Sequence, residues 1–176
     1  MRKVSAMVLG MSLIATAAAW AGDGQKSDVS LTASVKSALI SNKATKASQI
    51  NVETADGVVQ LSGFVDSTAA KDAATTTAKN VEGVKTVHNK LLIRDANRST
   101  GEAVDDTVIA AKLKSKIAGK EGLGTATDVN VEVNSGVVEL SGFVLTADEK
   151  AKAGEIARSM NGVKDVKNNI ALKSKT

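Results

Sequence analysis

The chain has 176 residues, 43% of them hydrophobic but only 2% aromatic, and a formal charge of +4 from 23 Lys and Arg against 19 Asp and Glu. It contains no Cys and no Pro. Disulfide scaffolds and Cys-based zinc sites are therefore excluded, and so small a positive excess with almost no stacking surface argues against a nucleic-acid binder.

The chain opens Met1-Arg2-Lys3, continues uncharged over residues 4–19, and reaches Ala19-Trp20-Ala21 before Gly22. A basic start, an apolar stretch and a small-x-small end predict a signal peptide over residues 1–21, cleaved before Gly22. Cleavage removes the only Trp and leaves Phe64 and Phe143 as the only aromatic residues. No Cys is present beyond it to carry a lipid, and no later run approaches the roughly 20 apolar residues that span a bilayer. The expected product is exported, not a lipoprotein and not an integral membrane protein. Residues 22–27 read as a loose tail.

A repeat organises the remainder of the chain. The segment from Asn51 to Ile93 aligns without a gap on the segment from Asn130 to Leu172, at an offset of 79, with 19 of 43 positions identical. Upstream, Asp28 to Leu39 aligns on Asp106 to Ile117 at an offset of 78. Two units are predicted, 28–93 and 106–172, joined by a polar, non-periodic linker at 94–105 and ending in a short tail at 173–176. They are expected to fold as separate modules.

Each unit predicts the same elements. Asp28 and Asp106 are placed to cap helices whose Leu31, Val35 and Leu39, or Ile109, Leu113 and Ile117, recur every four residues. A polar loop leads to a short strand at 50–54 and a turn at Asp56-Gly57. The next strand covers 58–65, with Val59, Leu61 and Val65 on one face and Gln60 and Ser62 on the other. Ser67 and Thr146 start second helices, and Thr146 with Glu149 has capping-box spacing. Gly83 and Gly162 are expected C-caps. A last strand should place Val87, Leu91 and Ile93 on one face, matched by Val166, Ile170 and Leu172. The strand–helix–strand crossover predicts a parallel pair beside an antiparallel hairpin. The fold class is therefore α+β: two small αββαβ units, each a three-stranded mixed sheet with two helices on one face.

The pattern Gly-Val-Val-x-Leu-Ser-Gly-x-Val occurs at Gly57–Val65 and again at Gly136–Val144, each with a helix and then Gly-Val-Lys beyond it. On these residues the chain resembles the BON domain, in tandem behind a signal peptide. The resemblance implies the αββαβ fold, a periplasmic location and a role in envelope stress protection. It further implies contact with phospholipid surfaces or with partly folded envelope proteins, and no catalytic centre. A structural adaptor that bridges envelope proteins is the alternative.

The residues themselves offer little chemistry. His88 is the only His and is matched by Lys167, so it is not expected to be a ligand or a base. No catalytic residue, cofactor site or metal site is predicted. The candidates for contact with an anionic lipid or a protein partner are Lys112, Lys116 and Lys120, spaced by four along one helix side, and the equivalent Phe64 and Phe143, whose other reading is packing at the domain edge.

Overall fold

The computed structural model describes residues 26–118 and 129–173. The predicted signal peptide, residues 22–25, Lys120 and residues 174–176 lie outside that range.

The first repeat begins with α1, Asp28–Ser41. Its cap is Ser27, whose hydroxyl accepts the N–H of Ser30. Asp28, expected as the cap, stands one residue inside the helix and reaches across to the hairpin turn instead. There its carboxylate accepts the N–H groups of Asp56 and Gly57 at 2.8 and 2.9 Å. Two short 3₁₀ turns, Lys43–Thr45 and Ala47–Gln49, occupy the loop. Then come β1 (Asn51–Ala55), β2 (Val58–Ser62), β3 (Phe64–Val65), α2 (Thr68–Lys79), β4 (Thr86–Asn89) and β5 (Leu92–Ile93). The β1–β2 turn places Asp56 and Gly57 at φ 54° and 78°, the pair of left-handed residues that a tight hairpin needs.

The second repeat contains α3 (Thr100–Ala118), β6 (Val129–Asn134), β7 (Val137–Val144), α4 (Ala147–Arg158), β8 (Asp165–Asn168) and β9 (Ala171–Leu172). The helix α3 starts six residues before Asp106, so half of the stretch expected as linker is helical. Ser99 and Glu102 cap it reciprocally: Ser99 Oγ accepts the Glu102 N–H, and Glu102 Oε2 accepts the Ser99 N–H. Asp106 is therefore a buried mid-helix residue, 4% exposed, that accepts the N–H groups of Ser135 and Gly136. It plays the part of Asp28 in the other repeat. The capping box of Thr146 and Glu149 forms as expected.

In each repeat the hairpin is antiparallel and the crossover strand adds in parallel. β2 pairs with β1 and β4, and β7 with β6 and β8. β3–β5 and β7–β9 extend the parallel pairing. The helices cover one face. Val35 and Leu39 of α1 and Ala70, Ala74 and Ala78 of α2 pack with Val52, Val59, Leu61 and Leu91. In the second repeat Ile109, Leu113, Ile117, Ala153 and Ala157 pack with Val131, Val138, Leu140 and Ile170.

Two local expectations change. The last strand is broken in each repeat, so Leu91 and Ile170 are buried while Ile93 and Leu172 are both 49% exposed. The second helices are capped by Asn80 and Ser159, and Gly83 and Gly162 sit three residues further on.

Candidate functional site

The larger difference concerns the sheet face opposite the helices. Alternation predicts that Gln60 and Ser62 are solvated, yet Gln60, Ser62, Glu139 and Ser141 are all at most 2% exposed. The two sheets meet there face to face, so the repeats, expected to fold as separate modules, share a joint. Its hydrogen bonds are reciprocal at the repeat offset. Asn51 Nδ2 donates to Glu132 Oε1 at 3.1 Å, and Asn130 Nδ2 donates to Glu53 Oε1 at 2.7 Å. The Gly63 N–H donates to Glu139 Oε2 at 2.8 Å, and the Gly142 N–H to Gln60 Oε1 at 2.6 Å. Each group meets the counterpart of what its own counterpart meets, which is the signature of an isologous, two-fold contact. Buried polar groups are tolerable here because they are paired.

Phe64 and Phe143, the candidate aromatic contacts, are 6% exposed and belong to neither core cluster. They are spent on the joint. Phe64 lines a cleft with Asn134, Ser135 and Val137 of the other repeat, and Phe143 lines one with Ala55, Asp56 and Val58. Each strand-end ring therefore sits at the hairpin turn of its neighbour. A surface partner meets little of either ring while the joint is closed.

One titratable group is buried in the joint. Burial pushes the Glu139 carboxyl up to about 7, against the opposing pull of the N–H groups of Gly63 and Asn169 that it accepts. His88 is exposed and lies across β4–β2 from Gln60, as Lys167 lies across β8–β7 from Glu139.

Lys112 and Lys116 project from α3 and are exposed. They line a cleft of about 640 Å³ between α3 and the turn after α4, with Val108, Ile109 and Met160 as its apolar residues and Lys164 on the far side. Three acids share this cleft. Asp106 is turned inward to the hairpin N–H groups and to Arg98, at 3.0 Å, and Glu102 faces Lys164 at 3.5 Å. Asp105 is exposed. The lysines thus hold the end of the cleft away from these carboxylates along the helix. Val104 and Val108 add apolar surface on α3, at 59% and 43% exposure. Among the described residues no group of His, Asp and Glu is arranged to hold a metal ion, and no helix is long and apolar enough to cross a membrane.

Sequence reasoning finds the lysines and misses the joint. A signal for it is present. Asn51, Glu53, Ser62, Gly63 and Phe64 all recur unchanged in the second repeat, although alternation or position would expose several of them.

Comparison with known proteins agrees with the repeat. The BON domain profile matches twice, at residues 27–95 and 105–174. The chain is 39% identical over 147 residues to Osmotically-inducible protein Y of Escherichia coli strain K12, covering 83% of this chain and 73% of that protein. It is 36% identical over 118 residues to the outer membrane lipoprotein DolP of Haemophilus influenzae, covering 67% of this chain and 60% of that protein. Among solved structures, the C-terminal domain of CdsD, a structural protein of the type III secretion system of Chlamydia trachomatis, aligns with 85% of this chain and 100% of its own. At 13% identity and a TM-score of 0.31 that likeness carries no functional argument.

Proposed function

The chain belongs to the BON domain family, with two copies in tandem, and from that premise we propose that it is a non-enzymatic protein of the periplasm that protects the envelope under osmotic stress by reversible contact with anionic phospholipid. The names of two of its relatives, one osmotically inducible and one an outer membrane lipoprotein, support the stress and envelope parts of this reading.

The observation that carries the lipid part is the α3 cleft. Lys112 and Lys116 lie one helical turn apart, beside Val108 and Met160. Long lysine stems lie along apolar surface while their ammonium groups reach phosphate. The buried stripe of Ile109, Leu113 and Ile117 is committed to the core, which leaves the lysine side of the helix for a ligand. Each lysine near an anionic surface contributes about 1 kcal/mol, so binding is weak, reversible and sensitive to salt.

Co-sedimentation with phosphatidylglycerol vesicles tests this, comparing the wild type with Lys112→Glu/Lys116→Glu/Lys120→Glu. The expected result is binding by the wild type at low salt, lost at high salt and lost in the triple variant. Equal binding by both proteins, or none by the wild type at low salt, overturns it. Suppression of aggregation of an unfolded client in the absence of lipid then becomes the assay of choice.

A further inference from the structure

The joint departs from two-fold symmetry near its centre at Gln60 and Glu139, and beside them at Asn169, whose counterpart in the first repeat is Lys90. Gln60 and Glu139 are equivalent, 2% and 1% exposed, and each accepts the N–H of a glycine in the other repeat. Gln60 has a second, donating end, and its Nε2 finds the Asn169 carbonyl at 2.8 Å. Glu139 offers only its other oxygen, which accepts Asn169 Nδ2 at 3.0 Å. One side of the joint therefore buries a neutral amide, and the other buries an acid.

The charged groups around Glu139 do not compensate for its burial. On β6, Glu132 lies directly across from it and opposes its ionisation. On β8, Lys167 lies across on the other side but is paired with Asp165 at 2.8 Å. From the first repeat, Lys71 of α2 favours the anion, by less than Glu132 disfavours it. Glu53 and His88 flank Gln60 on β1 and β4. The hydrogen-bond partners of the carboxylate are a backbone amide and a side-chain amide, both neutral. A buried carboxylate without a cation in contact is costly, whereas the same group in water is not.

We infer that the joint is a proton-controlled latch: protonated Glu139 holds the two sheet faces together, and its ionisation releases them and bares Ser62, Phe64, Ser141 and Phe143. Opening spares both cores, because the clusters that stabilise each repeat share no residue. The connection between β5 and α3, residues 94–99, is the hinge. The inner faces are then accessible in proportion to the ionised fraction of Glu139, and pH near neutrality sets how long they stay hidden.

The experiment uses the full chain carrying Ser62→Cys, a probe at a 1% exposed position, with Ser37→Cys on the exposed side of α1 as the control. The rate of thiol labelling at position 62, divided by that at position 37, reports opening free of the pH dependence of the thiol. The ratio should rise on the order of fiftyfold between pH 5 and pH 8. Glu139→Gln, which gives this position the side chain of its counterpart, should abolish the rise. Hydrogen exchange of the Gly63 and Gly142 amides, corrected for intrinsic rate, repeats the measurement in a chain without any Cys. An unchanged ratio in the wild type, or an equal rise in the Glu139→Gln background, overturns the inference.

Discussion

Ser62 and Ser141 hydrogen-bond to one another through their hydroxyls at 2.7 Å, and they are the same residue of the two repeats, 79 positions apart. A residue meets its own equivalent only where the symmetry axis passes, so this pair marks the centre of the joint. Both residues are 1% exposed. Removing one hydroxyl leaves the other buried without this partner, whereas removing both leaves two small apolar surfaces in contact. Ser62→Ala and Ser141→Ala should each cost about 1–2 kcal/mol of stability in urea titration, and the double variant clearly less than their sum. Additive losses would show that the pair is not coupled.

The glycines separate into required and optional ones. Gly63 has φ 115°, and a Cβ there would lie 2.3 Å from the carbonyl oxygen of Gln49. Neither strain nor backbone contact can be relieved cheaply, so Gly63→Ala should cost at least about 2 kcal/mol. A Cβ at Gly101, in the first turn of α3, would meet only Ser99 Oγ, at 4.0 Å. Gly101→Ala should raise stability by about 0.5–1 kcal/mol. Gly154 is intermediate: it is helical, but a Cβ would come within 2.8 Å of Asn168 Nδ2, so its substitution should gain less than that at Gly101. Thermal midpoints of the three single variants test this order.

Asp28 and Asp106 both tie a first helix to a hairpin turn, but they are not equally exposed to loss. Asp28 holds two turn N–H groups at a half-buried site. Asp106 holds two as well, and also pairs with Arg98, while 4% exposed. Truncation leaves more buried donors unpaired in the second case. Asp106→Ala should cost about 3 kcal/mol and Asp28→Ala about 1–2 kcal/mol, read from urea midpoints. The reverse order would show that Arg98 contributes nothing beyond a surface pair.

Much of this fold is legible in the residues because each repeat solves a local problem locally. The four-residue spacing of Leu31, Val35 and Leu39, the Asp56-Gly57 turn and the Thr146–Glu149 box each depend on neighbours a few positions away. The start of α3 is equally legible, since Ser99 and Glu102 have the capping-box spacing. Alignment of Asp106 on Asp28 obscures it. The joint is different in kind. Gln60 and Ser62 alternate with buried residues as solvated strand residues do, and only the arrival of the second sheet buries them. The candidate lysines are visible because exposed charge on a helix needs no partner. Phe64 and Phe143 read as packing at the edge of each domain or as a shared surface contact, because the sheet that covers each one belongs to the other repeat.

The buried acid gives the whole chain a pH dependence whose sign is fixed by linkage. Glu139 titrates at about 7 in the folded chain and at its ordinary 4.5 once exposed. Below pH 4.5 both states hold the proton and stability is greatest. Between 4.5 and about 7 the unfolded chain binds fewer protons than the folded one, so stability falls as pH rises. Above about 7 both are ionised and the loss levels off, at about 3 kcal/mol. Asp66, Asp165 and Glu102 are held below their ordinary values by hydrogen bonds from Lys46, Lys167 and Ser99, and they act in the opposite direction. Their window lies below pH 4.5, clear of this one. The urea midpoint of the wild type should therefore be higher at pH 5 than at pH 8, and that of Glu139→Gln nearly level across the same range. Gln60→Glu sharpens the test. It keeps an acceptor for the Gly142 N–H but sets a carboxylate against the Asn169 carbonyl, which now receives Gln60 Nε2. That variant should be the least stable of the three at pH 8 and should recover most on acidification. A Gln60→Glu chain as stable at pH 8 as the wild type would mean that water enters the joint and that burial does not govern either carboxyl.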